Sequence, residues 1–241
     1  FFMIGSKSEI ETVDHIKSLV GSRLEKYYGI DPKKDIQVMT PMKKGLVGVE
    51  NLNYELQNSL NPPNFAVEEL VFANTVFRKG DKVMQTKNNY QVEWEAYTED
   101  RIKYDSGTGI YNGDIGFISE IDTFRKTLVV DFDGREVTYG EDTLGDLTLA
   151  YAITIHKSQG SEFPVVIIPV HYAPELLANR NLIYTAITRA KKLVVLVGKE
   201  GRLKTMIANT YVNERYTGLR EKIRDFNKVV LYDGEKNLFN L

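Results

Sequence analysis

The sequence predicts an α/β domain with a mainly parallel sheet, into which a small antiparallel β-barrel is inserted. Three observations carry that expectation. Toward both ends of the chain, short apolar strand-like runs alternate with segments whose apolar residues recur every three to four positions, the pattern of parallel strands joined by helical crossovers. At Asn61–Asn64 (NPPN) the texture breaks, and short strand signals separated by turns follow as far as about Asp146. After Leu147 the alternation resumes. The expected division is residues 1–74 and 147–241 for the two segments of the α/β domain, with residues 75–146 as the barrel between them.

In chain order, residues 8–27 form the first expected helix, because Ile10, Val13, Ile16, Leu19, Val20, Leu24 and Tyr27 keep to one face. Ser8 and Glu11 stand at capping-box spacing, where a hydroxyl and a carboxylate reciprocally bond free backbone donors. Asp31-Pro32 closes that unit. Asp35–Thr40 (DIQVMT) reads as a core strand stopped by Pro41, and the turn MKKGLVG leads to a helix over Val49–Leu60. Lys82–Thr86, Ile115–Ile121, Leu128–Phe132 and Glu136–Tyr139 are the strand candidates of the barrel, and Asp133-Gly134 marks a tight hairpin that needs positive φ. Tyr90–Gly109, with the single tryptophan Trp94, reads as a long excursion from the barrel. Beyond Leu147 come a strand, a polar loop, a strand at Val165–Val170, a helix at about Leu176–Lys191, a strand at Leu193–Gly198 and a helix at about Arg202–Asn213.

Composition narrows the function classes. With 42% hydrophobic content over 241 residues the chain can bury a sizeable core, so it reads as a folded protein. The lack of cysteine excludes disulfides and thiolate metal sites and fits a reducing, cytoplasmic compartment. His15, His156 and His171 lie in separate segments with no carboxylate at ligand spacing, which argues against a histidine metal site. No apolar run approaches the ~20 residues of a membrane-spanning helix, so no membrane partner is expected. A formal net charge of -2 removes the broad basic field of a nonspecific DNA-binding domain, and any contact with nucleic acid must be local. The opening FFMIGSKSE has neither an initiating Met nor the features of a signal peptide, and the chain is expected to begin inside a longer protein.

The segment Leu147–Val170 (LTLAYAITIHKSQGSEFPVVIIPV) concentrates the chemistry. Thr154, His156, Lys157, Ser158, Gln159, Gly160, Ser161 and Glu162 crowd between two apolar stretches, offering hydroxyls, a point charge, a ring donor and close backbone approach, all suited to an anion. The same residues also suit a polar surface loop with a capping Ser and a solvated Lys. In NLIYTAITRAKK the residues Leu182, Ile183, Ala186, Ile187 and Ala190 form a buried stripe, with Asn181, Thr185, Thr188 and Arg189 on the other side. Arg189 could stabilise charge on a transferring phosphoryl group, or simply complement the helix dipole. Lys43 and Lys44 of TPMKKG sit between strand and helix, at the sheet edge where ligands bind or in a plain basic turn. No GxxxxGK followed by Ser or Thr occurs, nor an Asp-Glu pair after an apolar strand.

These segments resemble a known family. AITIHKSQGSEFPVVIIPV is similar to motif V and LIYTAITRAKKLVVLVG to motif VI of superfamily-1 helicases, in the order found in RecD-like DNA helicases, the exodeoxyribonuclease V alpha subunit family. DIQVMTPMKKG followed by Leu52-Asn53 resembles motif IV, and GDKVMQTKNNY with NGDIGFISEID resembles the SH3-like barrel of those proteins. The resemblance implies a second RecA-like domain of P-loop NTPase type carrying an SH3-like insertion. It implies an ATP-driven helicase moving 5′-to-3′ on single-stranded DNA in repair or recombination. ATP with Mg²⁺ would bind against the protein's own N-terminal RecA-like domain, which would supply the Mg²⁺ ligands, and other recombination proteins would be further partners. By resemblance Arg189 is the arginine finger. Gly160, Ser161, Glu162, Lys43 and Lys44 would face nucleotide, while Thr40, Pro41, Met42, Thr154, His156, Lys157, Ser158 and Gln159 would face DNA. This chain by itself is then expected to lack ATPase activity. The alternative is a non-catalytic module binding single-stranded DNA or protein through the barrel, with Trp94, Tyr90, Tyr97 and Tyr104 as stacking residues.

Overall fold

The computed structural model describes residues 1–171, 173–174, 176–211, 218–219 and 221–226. Residues Phe1–Thr210 form one compact unit; Tyr211–Leu241 form a second, in which residues 221–226 are helical. In the first unit the strands are β1 (Phe2–Gly5), β2 (Ile36–Thr40), β3 (Glu69–Phe72), β4 (Thr75–Arg78), β5 (Lys82–Gln85), β6 (Asn89–Tyr97), β7 (Lys103–Ile110), β8 (Ile115–Asp122), β9 (Thr127–Phe132), β10 (Arg135–Tyr139), β11 (Leu147–Leu149), β12 (Ala152–Thr154), β13 (Phe163–Val170) and β14 (Ala190–Gly198). The α-helices are α1 (Glu9–Ser18), α2 (Leu24–Tyr28), α3 (Val49–Leu60), α4 (Arg180–Ile187) and α5 (Glu200–Ala208).

Strands β1, β14, β13, β2 and β12 make a sheet in that order, parallel at every pairing. Its strands are apolar on both faces because each face is covered, as a parallel sheet with crossovers requires. Alternate residues divide between the two sides. Val165, Ile167, Val195 and Val197 pack with Val13, Ile16, Leu52 and Leu56 of α1 and α3, whereas Val166, Ile168, Val194 and Leu196 pack with Leu182, Ile183 and Ala186 of α4 and Met206 of α5. The second sheet is antiparallel and seven-stranded, in the order β11-β5-β8-β9-β10-β6-β7, while β3 and β4 pair as a separate hairpin. The α/β fold with an antiparallel insertion is therefore present.

Several element readings need correction. The first helix carries a π-helical segment at Leu19–Arg23 between α1 and α2, and ends at Gly29 in the left-handed region, φ 62°. Ser8 does cap α1 by accepting from Glu11 N, but the Glu11 carboxylate takes the Lys7 amide at 2.6 Å. Tyr90–Gly109, read as a long excursion, lies in the β6–β7 hairpin, whose pairing shifts register between Asn89 and Glu93 and again between Ala96 and Tyr97, and which turns near Arg101 at φ 59°. Asp133 and Gly134, at φ 51° and 87°, form the expected tight turn. The strand expected just after Leu147 is split, with β11 pairing to β5 and β12 pairing to β2. Helix α4 spans Arg180–Ile187, shorter at both ends than expected. Helix α5 covers Glu200–Ala208, starting earlier than expected and ending sooner, at Asn209 in extended backbone; Val212 and Asn213 lie outside the described residues.

Asp81 and Lys82 are buried where the sheets meet. Asp81, 0% exposed, accepts from Gln57 Nε2, Asn61 Nδ2, the Arg78 amide and Tyr151 Oη at 2.6–2.9 Å. Burial still holds its carboxyl above the usual range, against those bonds. Lys82 donates from Nζ to the Ile36 carbonyl at 3.1 Å, and burial pulls its pKa down from 10.5 to about 8. That gap corresponds to about 3 kcal/mol against the charged form. Between pH 8 and 10.5 the unfolded chain holds the proton and the folded chain does not, so this group makes stability rise with pH across that window. Lys82→Met is therefore expected to gain most over the native chain at pH 7. The gain should shrink as pH approaches 10, measured by urea unfolding at each pH; a pH-independent difference would refute the assignment.

Candidate functional site

The parallel register of β2 and β12 sets Thr40 opposite Thr154, so the segments that follow both strands leave the same sheet edge side by side. Thr40 is fully buried and donates through Oγ1 to the Val47 carbonyl at 2.7 Å, folding the following turn back on itself. The amides of Val49 and Glu50, otherwise unpaired at the start of α3, bond to the Met42 and Lys43 carbonyls at 3.0 Å. That close return needs glycine at 48, since a Cβ there would stand 2.5 Å from the Lys44 backbone. Pro41 and Met42 are half-buried, and Lys43 and Lys44 are exposed at the tip.

After Thr154 the chain makes one 3₁₀ turn, Ile155–Ser158, with the Thr154 hydroxyl accepting from the Lys157 amide at 3.3 Å. Ile155 is buried as the anchor. Ser158 is buried too and donates to the Ile155 carbonyl at 2.7 Å, so its hydroxyl turns inward. Thr154 and Lys157 are half-buried, and His156 and Gln159 are exposed. Burial, and then the neighbouring charge of Lys43, pull the Lys157 ammonium below the usual lysine range. The two lysines from different segments thus share one field. Gly160 follows at φ 88°, with no atom within 4 Å of where a Cβ would lie. Ser161 is half-buried, and exposed Glu162 pairs with Lys191 at 3.3 Å.

Arg189 lies one residue past the Thr188 C-cap of α4, in the turn to β14, rather than on the helix as expected. It is held as firmly by other means. Nε donates to the Thr185 carbonyl at 3.3 Å, Nη1 to the Ser161 carbonyl at 3.3 Å and Nη2 to Thr188 Oγ1 at 3.4 Å. Its own carbonyl accepts from the Phe163 amide at 2.8 Å. All its side-chain partners are neutral oxygens; among the described residues neither Arg189 nor Lys43, Lys44 or Lys157 forms an ion pair. A cavity of about 210 Å³ lies between the 3₁₀ turn and α4, lined by His156, Gln159, Asn181 and Thr185 among others.

Comparison with known proteins is decisive here. The model of the ATP-dependent RecD-like DNA helicase SH3 domain matches residues 52–132, and that of the UvrD-like helicase C-terminal domain matches residues 149–197, which hold the Thr154–Glu162 loop and Arg189. The ATP-dependent RecD2 DNA helicase of Deinococcus radiodurans is 37% identical over 189 residues, covering 78% of this chain and 23% of that protein. The chain belongs to the RecD-like helicases. The RecBCD enzyme subunit RecD of Haemophilus influenzae is 31% identical over 195 residues, 80% of this chain and 26% of that protein. This RecD-like chain thus spans about a quarter of the length of these two curated relatives. A solved Pif1 helicase from Candida albicans aligns over 95% of this chain and 56% of that one, at 17% identity and a TM-score of 0.47.

The sequence placed Asn53 within the motif IV resemblance but gave no role to this residue, which shapes the RecD-like site. Asn53, 5% exposed, donates through Nδ2 to the Leu149 and Ala152 carbonyls at 3.1 and 2.9 Å and accepts from the Ala152 amide at 2.8 Å. It holds the strand that delivers Thr154. The signal was an amide on the apolar face of a helix, beside Leu52 and Leu56.

Proposed function

We propose that the chain is the second motor domain of an ATP-dependent helicase that moves 5′-to-3′ on single-stranded DNA in repair or recombination, in the cytoplasm. The observation that carries this reading is the Arg189 guanidinium, which forms no ion pair among the described residues and is tethered to the Ser161 carbonyl of the loop that also carries His156 and Lys157. One short loop then serves two anions.

The nucleotide half fits the residues present: a planar cation on neutral tethers, an open left-handed Gly160 and an exposed Glu162. Bound ATP with Mg²⁺ would supply the free energy of phosphoryl transfer. Arg189 would stabilise charge on the γ-phosphate, Gly160, Ser161 and Glu162 would line the nucleotide, and Lys43 or Lys44 would reach toward it. The phosphate loop and the Mg²⁺ carboxylates would come from an N-terminal RecA-like domain of the same protein. On the DNA half, His156, Lys157 and Gln159 would hold phosphates and Thr154 would fix the turn, while Pro41 and Met42 would lie along the path. Thr40 and Ser158, with inward hydroxyls, would contribute through the backbone of their turns. Closing the cleft between the two domains would move the DNA grip with Arg189, because Arg189 is tethered to the Ser161 carbonyl of the loop that carries the grip. Residues 1–74 and 147–241 would form the motor domain and residues 75–146 the barrel, whose sheet also takes β11 from the start of the second segment.

The barrel-centred reading rests on the exposed Tyr90 and Tyr104 more than on Trp94. Trp94 is half-buried against the core, with Gly107 beneath the ring and Arg135 6.0 Å from the ring centroid. Titrating labelled oligothymidylate with the 241-residue chain tests the choice. His156→Ala should weaken binding, and Lys157→Ala should also reduce the salt slope by about 0.7, one phosphate contact. Trp94→Ala should leave both unchanged; loss confined to Trp94→Ala would sink the assignment.

A further inference from the structure

The chain passes between the parallel sheet and the barrel twice, and neither passage is free to turn. On the way in, Asn61 Nδ2 donates to the Lys79 carbonyl, Lys33 Nζ to the Gly80 carbonyl and Gln57 Nε2 to the Val76 carbonyl, all at 2.8–3.1 Å. Asp81 then gathers donors from α3, from the backbone of Arg78 and from Tyr151. On the way out, Leu149–Ala152 is buried at every position. Gln37 Nε2 donates to the Ala150 and Tyr151 carbonyls at 3.0 and 3.2 Å, the Ala150 amide donates to the Lys82 carbonyl at 2.8 Å, and Asn53 holds Leu149 and Ala152. Beneath both passages one apolar core is continuous. Ile36, Val38, Leu52 and Ala152 of the motor side belong to the same buried cluster as Val83, Ile118, Val130 and Phe132 of the barrel.

A hinge needs a few residues that can change φ and ψ without losing partners. Here the backbone groups at the exit are bonded to side chains of the other body, and swinging the barrel would strand buried polar groups and open the core. We propose that the barrel is a fixed arm of the motor domain, latched by Asp81 and its donors together with Gln37 and Asn53. Its far strands, β6 and β7, therefore move with the Thr154–Glu162 loop instead of about the Leu149–Ala152 crossing. This rests on the helicase reading only for what drives the motion.

The native chain has no cysteine, so Tyr54→Cys on α3 and Tyr104→Cys on β7, both exposed, place two spin labels without background thiols. Pulsed dipolar spectroscopy is expected to return one narrow distance peak, no wider than the label rotamers allow. Adding Tyr151→Phe, which deletes one latch hydroxyl, should broaden it in the folded protein. A broad or two-peaked distribution without that substitution overturns the fixed arm, as does a latch variant whose peak stays as narrow. Either result leaves the DNA and nucleotide assignments standing, and their failure in the oligothymidylate titration would leave the distance peak unchanged.

Discussion

Arg189→Lys in the parent protein, with its other RecA-like domain present, is expected to lower ATP turnover by roughly 10³-fold or more. Single-stranded DNA affinity should stay within about twofold, because an arginine finger acts on the transition state and not on the DNA grip. The substitution is chosen because it keeps the positive charge. If Arg189 merely complemented the carbonyl end of α4, lysine would serve almost as well, since the dipole responds to charge and not to shape. The observed geometry asks for more than charge. Three nitrogens of one plane reach Thr185, Ser161 and Thr188, leaving further N–H groups of the fork for a phosphate. An ammonium cannot span those acceptors. Near-native turnover by the lysine variant would return Arg189 to a purely structural role.

Asn53→Leu is expected to cost the chain roughly 3–5 kcal/mol of stability, among the larger effects for a single substitution. Leucine matches the apolar surroundings of Leu52 and Leu56, so the loss would not come from shape alone. It would come from the Ala152 amide and the Leu149 and Ala152 carbonyls, buried groups that lose a partner together. Urea unfolding followed by circular dichroism measures it. A change below about 1 kcal/mol would mean those groups find other partners and the clamp contributes little.

How much of this could be read without coordinates depended on whether a signal was local. Val49–Leu60 was legible to the residue, because a glycine turn precedes it and Leu52 and Leu56 mark its buried face. The Asp133-Gly134 turn was legible for a similar reason, as its left-handed backbone selects those residue types. The β6–β7 hairpin was not. Most of its residues are exposed or half-exposed, so the period-two alternation that announces a strand is largely missing. The assignment of Leu147–Leu149 to the barrel sheet depended on a partner more than sixty positions away, β5, which no local pattern encodes. At the site, the loop's ligand-rich composition was visible, and Arg189 could be named as a candidate. The inward turn of the Thr40 and Ser158 hydroxyls was not, because their acceptors, Val47 and Ile155, are chosen by the fold of each turn. The end of α4 before Arg189 was hidden for the same reason: TAITRAKK continues a helical period that the Thr188 cap interrupts.

In the reading proposed above, this chain holds one half of an ATP site and one half of a DNA track, joined in the loop from Thr154 to Glu162. The most direct test of that reading is steady-state ATP hydrolysis by the purified 241-residue chain with saturating oligothymidylate, repeated after adding the remaining RecA-like domain of the parent protein. No turnover is expected from the chain alone, and Arg189-dependent turnover once the other domain is supplied. Arg189-dependent turnover by the isolated chain would contradict that reading.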